Sequence, residues 1–205
     1  VLTSRVDTIR RAFAVLENMM GWQRAVVAAT CDCPLLRTSA DTIERAMAVL
    51  EKMLGRERAL VAVGRHPRVL TLKAETIRRA FAVLEAELGW RKAMVTVEQY
   101  PEVLTASAET LRAAVAVLIE ELGREKAAVA VEQHPEVLTT AAETLRGAMT
   151  HLVEVLGHEK AVAAVETLPG VLTSHWARAS NTGRSRGAFA ALVELLGQER
   201  AVAAV

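Results

Sequence analysis

The chain has 205 residues, of which 52% are apolar and 24% charged; that supplies ample material for a core and excludes a disordered chain. Aromatics are only 3%, so the apolar mass is Ala, Val and Leu, small side chains that favour close helix-on-helix packing. With 25 Lys plus Arg against 24 Asp plus Glu the net charge is +1, without the basic excess of an obligate polyanion binder, although a local basic face remains open.

Cys31 and Cys33 lie in one Cys-Asp-Cys stretch and cannot form a disulfide framework for a chain of this size, so a reducing compartment is expected. The longest apolar run, Ala113 to Ile119, falls far short of the roughly 18 to 20 residues of a membrane span. No signal-peptide or transit-peptide pattern is visible. The sequence opens on Val1 without a Met and stops at Val205 inside a repeating unit, and the expectation is a processed or partial piece of a longer protein.

The five prolines, Pro34, Pro67, Pro101, Pro135 and Pro169, recur at an almost constant interval. Gly21, Gly55, Gly89, Gly123 and Gly157 keep the same interval without exception, and Gly197 comes later than the interval requires, which marks an insertion. Self-similarity at a fixed period is the signature of a repeat architecture. The expected organisation is one tandem array over residues 1–205, with units ending near 33, 66, 100, 134 and 168. The last unit, 169–205, carries an insertion at 174–186 and is incomplete.

Taken in chain order through the unit that begins at Pro101, a short turn comes first. Pro-x-Val-Leu-Thr is long enough for a single 3₁₀ or α turn, with Val103 and Leu104 pinning it to the core. A first helix follows, because Leu111, Ala114, Val115, Leu118 and Leu122 fall at i, i+3, i+4, i+7 and i+11 and define one buried face. Its start carries an acid in five copies (Asp7, Asp41, Glu75, Glu109, Glu143), suited to the positive end of the helix dipole, with Ser39 and Ser107 as candidate N-caps. The glycine after the last Leu is where an αL C-cap is expected. A shorter second helix then runs from about Arg124 to Gln133. It contains an invariant alanine column, Ala25, Ala59, Ala93, Ala127, Ala161 and Ala201, as a site of close helix approach demands.

The fold class that follows is all-α: repeated units of two α-helices and a short 3₁₀ turn, stacked as a superhelical solenoid. At about 8 to 10 Å per packed layer, five to six units make a curved rod on the order of 50 Å long.

The period alone also fits tetratricopeptide repeats, but those separate Gly and Pro widely and fix aromatic positions. Here a single short helix separates Gly89 from Pro101, and aromatics are sparse. The succession Pro-x-x-Leu, Glu-Thr-Leu, a Leu-Gly ending and a short helix into the next Pro resembles the mitochondrial transcription termination factor (mTERF) repeat family over nearly the whole chain. The resemblance implies triangular units of two helices and a 3₁₀ turn in a left-handed superhelix, working in a mitochondrion or plastid. Many members bind nucleic acid along a positively charged concave groove, and some are structural components of organellar assemblies.

Two basic columns are candidates for contacting a partner. Shortly after each glycine stand Arg24, Arg58, Lys92, Lys126, Lys160 and Arg200; at the first helix stand Arg10, Arg78, Arg112 and Arg146, interrupted by Glu44. Such ladders could meet a phosphate backbone through counterion release. Alternatively each cation pairs with an acid of its own or the adjacent unit, such as Glu98, Glu132 or Glu166, and serves structure. Residues 1–100 hold 16 basic and 11 acidic side chains, whereas 101–205 hold 9 and 13, so the chain is electrically polarised and the N-terminal units are the favoured place for nucleic acid. Trp22 and Trp90 follow their glycines, where they could stack on bases or cover a neighbouring turn. The insertion carries Trp176, Arg178, Arg184 and Arg186 around a Ser-Asn-Thr-Gly loop signal, either a contact element or a tolerated surface insertion.

Catalysis finds no support. His66 and His134 occupy the same pre-proline column two units apart, as does Cys33, too far to share a metal; Cys31 and Cys33 lack a second ligand pair; and His151 takes the place of an aliphatic residue of the first helix. No phosphate-binding glycine loop or nucleophile elbow occurs. The sequence thus predicts a non-enzymatic protein without cofactor, metal, membrane span or small-molecule substrate. Its role is a scaffold or accessory subunit of a larger organellar assembly, a ribosome or photosynthetic complex, with other protein subunits as partners. The alternative is an organellar DNA- or RNA-binding regulator of gene expression.

Overall fold

A computed structural model describes residues 2–32 and 34–173. Among these, ten α-helices form five successive pairs, each pair followed by a short 3₁₀ turn, and no strand occurs. The first helices of the units are α1 (Leu2–Met20), α3 (Ala40–Leu54), α5 (Ala74–Leu88), α7 (Ala108–Leu122) and α9 (Ala142–Leu156). The second helices are α2 (Trp22–Cys31), α4 (Arg56–Arg65), α6 (Trp90–Gln99), α8 (Arg124–Gln133) and α10 (His158–Thr167). The turns span Leu35–Arg37, Pro67–Thr71, Pro101–Thr105, Pro135–Thr139 and Pro169–Leu172.

Each boundary has a local cause. The residues before Pro67, Pro101, Pro135 and Pro169 leave the helical region, as in His66 (φ −141°, ψ 81°) and Tyr100 (φ −134°, ψ 72°), because the proline ring disfavours helical backbone in its predecessor. Proline itself, whose φ is preset and whose missing N–H costs nothing at a helix start, opens the 3₁₀ turn in four of the five copies. The αL cap expected at the glycines is corrected by the backbone. Gly21, Gly55, Gly89, Gly123 and Gly157 have φ between 79° and 82° but ψ between 155° and 159°, far from the αL well near ψ +47° and in a region open essentially to glycine alone.

The reason is that one residue serves both helices. The Gly89 N–H donates to the Glu85 carbonyl (2.9 Å) to end α5, while its own carbonyl accepts from the Ala93 N–H (3.0 Å) to start α6. An αL cap would need a further residue before the next helix. A Cβ at Gly89 would meet nothing within 4 Å, so backbone conformation and not space selects glycine here.

The described residues form two compact units, one up to Arg112 and one from Ala113 onward, divided within α7. In the first, α1, α3 and α5 pack side by side and each also packs on its own second helix; α4 lies along α6, and the 67–71 and 101–105 turns stack on each other. Its core is the apolar stripe of the first helices, including Ile43, Leu50, Ile77 and Leu84, with Ala25, Ala59 and Ala93 from the second helices, all at 0% exposure. In the second unit α9 packs on α10, α10 on α8, and the 135–139 turn on the 169–172 turn. Leu145, Ala161 and Val165 are fully buried there, with Val137 and Leu138 pinning the turn as expected. Burying each such leucine contributes on the order of 1.5–3 kcal/mol. Among the described residues no helix is long and apolar enough to cross a membrane.

Candidate nucleic-acid and partner interface

The first-helix cations lie on the exposed side, one turn into α5, α7 and α9 and about two turns into the longer α1. Arg10, Arg78, Arg112 and Arg146 are all exposed, as are the neighbouring Arg11, Arg45 and Arg79. On α5 the carboxylate of Glu75 is shared: Arg79 Nε lies 3.1 Å from one oxygen and Arg78 Nη1 3.6 Å from the other. One acid thus faces two guanidiniums, and a positive surplus remains on that turn. On α1 the same spacing sets Asp7 one turn before Arg10 and Arg11. On α3 the column is broken by Glu44, and Arg45 is held 3.1 Å from Asp41. The first-helix surplus of the first unit therefore comes from α1 and α5.

The second-helix cations have a different fate. Arg58 Nε on α4 lies 3.5 Å from Glu98 on α6, and Lys126 Nζ on α8 pairs with the Glu166 carboxylate on α10. Both pairs join successive second helices at the same sequence offset, slightly more than one repeat, so these cations tie repeat to repeat. Arg65 adds a neutral link, donating from Nη1 to the Gln99 carbonyl at 2.9 Å and satisfying a carbonyl at the α6 C-terminus. Nothing in the spacing of charged residues signals this last bond, because its acceptor is backbone.

Trp22 and Trp90 are exposed by 60% and 44%. Each also leans edge-on against a phenylalanine of its own unit, Trp22 on Phe13 (centroids 5.3 Å, 80°) and Trp90 on Phe81 (5.1 Å, 75°). These Trp rings cover the preceding helix and keep one side in solvent. The pairing was readable by comparing copies: the two units with Trp at this column carry Phe in the first helix, at the position where the units with Arg56 and Arg124 have Met47 and Val115.

Both serines that the sequence suggested as N-caps act as such. Ser39 Oγ accepts from the Thr42 N–H (3.2 Å) and Ser107 Oγ from the Thr110 N–H (3.1 Å), whereas Lys73 and Ala141 give no side-chain cap. Glu109, in the first turn of α7, has its carboxyl held below the usual range by a backbone hydrogen bond, then by Ser107, with Arg112 and Arg79 adding smaller attraction.

The histidines do not converge. His66 buries Nε2 without a hydrogen-bond partner among the described residues, His134 Nδ1 lies 2.8 Å from Glu136, and His151 on α9 lies 3.8 Å from Glu154. Among the described residues no three His, Cys, Asp or Glu side chains gather as metal ligands. Cys31 is exposed as a free thiol. The insertion residues Trp176, Arg178, Arg184 and Arg186, and Arg200, lie outside the described residues, as does Cys33.

No curated protein matches this sequence. A family model, mTERF, matches residues 1–178, the stretch that contains all five turns and all ten helices described above. Unit for unit, with its two helices, single-glycine corner and proline-led 3₁₀ turn, this chain belongs to the mTERF family.

Proposed function

We propose that this chain is a non-catalytic, nucleic-acid-binding helical-repeat protein of a mitochondrion or plastid. Its contact surface in residues 1–112 is the arginine-bearing side of the first helices, with Arg10 and Arg78 as principal contacts and Arg11 and Arg79 beside them. Glu75 carries the reading: one carboxylate shared by Arg78 and Arg79 leaves a guanidinium surplus free to exchange counterions for phosphates. Family membership supports the same function and compartment. Arg112, one turn after Glu109, contributes less, and in the second unit Arg146, one turn after Glu143, is a separate weak contact. Trp22 and Trp90, each with one side in solvent, are placed to stack on an unpaired base.

A second reading, a scaffold or accessory subunit within a ribosome or photosynthetic complex, is favoured by a separate observation. The second-helix cations Arg58 and Lys126 are engaged by acids of the next repeat, and the net charge is only +1. Under this reading the partners are protein subunits, and Arg58 and Lys126 serve the repeat stack. Fluorescence anisotropy with mixed-sequence single-stranded RNA and duplex DNA at low salt separates the two. Saturable, salt-sensitive binding supports the first, and no binding to either supports the scaffold.

A further inference from the structure

The inter-repeat ladder has a missing rung. The sequence offset that joins Arg58 to Glu98 and Lys126 to Glu166 leads from Arg24 on α2 to Gly64 on α4, where no side chain exists. A cleft of about 350 Å³ opens there between the two helices, lined by Arg24, Val27, Ala28, Leu60, Val61 and Gly64. Arg24 is exposed and has no acid partner among the described residues. Val27 and Val61 hold 56% and 44% of their surfaces in solvent.

Neither backbone nor packing explains Gly64. Its φ is not positive, and a Cβ built on it would meet nothing within 4 Å. Glycine inside a helix is destabilising relative to alanine, and here its only structural effect is to leave the cleft open.

We propose that the α2–α4 cleft is a docking pocket for a glutamate side chain presented by an α-helix of a partner protein. The filled rungs define the occupant. At Arg58 the position is taken by Glu98 of a neighbouring helix, α6, which also carries Val95 one turn earlier on its exposed side. A partner helix with the pattern Val-x-x-Glu sets its carboxylate on the Arg24 guanidinium and its apolar residue against Val27 and Val61. The charge is complementary, and a guanidinium–carboxylate contact is among the stronger polar contacts. Shallow aliphatic walls with a single cation offer a nucleic acid neither a stacking surface nor a run of phosphate contacts. The proposal is independent of the nucleic-acid reading of the first helices.

The test is NMR titration of the isotopically labelled full chain with a helix-stabilised peptide copying residues 90–99, WRKAMVTVEQ. Saturable shifts confined to the amides of 23–28 and 60–64 are expected, reduced at least tenfold in affinity by Glu98→Gln in the peptide. In the chain, Gly64→Glu fills the rung from within, abolishes binding and leaves the melting temperature equal or higher, while Gly64→Ala keeps binding. Arg24→Gln removes binding and serves if Gly64→Glu does not fold. Absence of shifts at millimolar peptide, undiminished binding to Gly64→Glu or Arg24→Gln, or shifts at these amides from an RNA oligonucleotide in place of the peptide overturns the proposal.

Discussion

Arg58 and Glu98 lie more than one repeat apart in sequence but 3.5 Å apart in space, joining α4 to α6, and Lys126 repeats the arrangement with Glu166. The relationship separates Arg58 and Lys126, second-helix cations that link repeats, from Arg78 and Arg79, first-helix cations that share one acid and face solvent. Because both members of each pair are partly exposed, the energetic expectation is small. Glu98→Gln should lower stability by less than about 1 kcal/mol in urea unfolding; a loss several times larger would mean that the ladder is a main support of the stack.

The single-residue corners carry a larger expectation. Gly89→Ala forces an L-residue into φ 80°, ψ 155° and should cost about 1–3 kcal/mol. The same substitution at Gly64, inside a helix with open space around it, should instead stabilise by about 0.5–1 kcal/mol. Chemical denaturation of the two variants side by side checks the contrast, and equal effects would show that the corner conformation is not the cause.

Helix starts give a matched pair. Ser107→Ala removes the acceptor for the Thr110 N–H and should cost about 1 kcal/mol, whereas Ala141→Ser, where α9 has no side-chain cap, should gain a comparable amount. Equilibrium unfolding of both variants measures it.

Acid pH acts at the same place. Glu109 has its carboxyl lowered by a backbone hydrogen bond and by Ser107, so below the ordinary carboxylate range the unfolded chain binds the proton more readily than the folded one. The stabilisation is present above the unfolded pKa and is lost as pH falls through the lower folded pKa. Glu109→Gln should therefore flatten part of the acid limb of a stability–pH curve and leave the neutral limb's shape unchanged.

The aromatic pairs predict a spectroscopic change. With Trp22 and Trp176 replaced by Phe, Phe81→Leu should red-shift the emission of Trp90, because the edge contact at 5.1 Å shields one side of the indole. The stability cost beyond lost area should be about 0.5–1.5 kcal/mol. An unchanged spectrum would mean that Trp90 stands free of Phe81 in solution.

Much of this fold was legible because a tandem repeat prints each structural requirement several times. Pro67, Pro101 and Pro135 mark the turns, Ala59, Ala93 and Ala127 the close approaches, and Ser39 and Ser107 the caps. The glycine column revealed a corner but not its geometry, since glycine suits αL and the observed conformation alike, and only the absence of a linker between helices decides. The site was less legible. Charge counts show a basic N-terminal half, yet which cations are consumed depends on an offset longer than the repeat itself. Arg65 bonding a backbone carbonyl leaves no mark in sequence. The gap at Gly64 is visible only once Glu98 is known to fill the equivalent position one repeat on.

The central claim is that the first-helix arginines, and not the second-helix ladder, face nucleic acid. The most direct measurement is the salt dependence of RNA binding for the parent chain, for Arg78→Gln with Arg79→Gln, and for Arg58→Gln. Each lost phosphate contact lowers the slope of log Kobs against log salt by about 0.7 on single strands. The account predicts a shallower slope and weaker binding for the Arg78/Arg79 variant, with Arg58→Gln matching the parent. No binding at low salt, or an equal loss from Arg58→Gln, would contradict it.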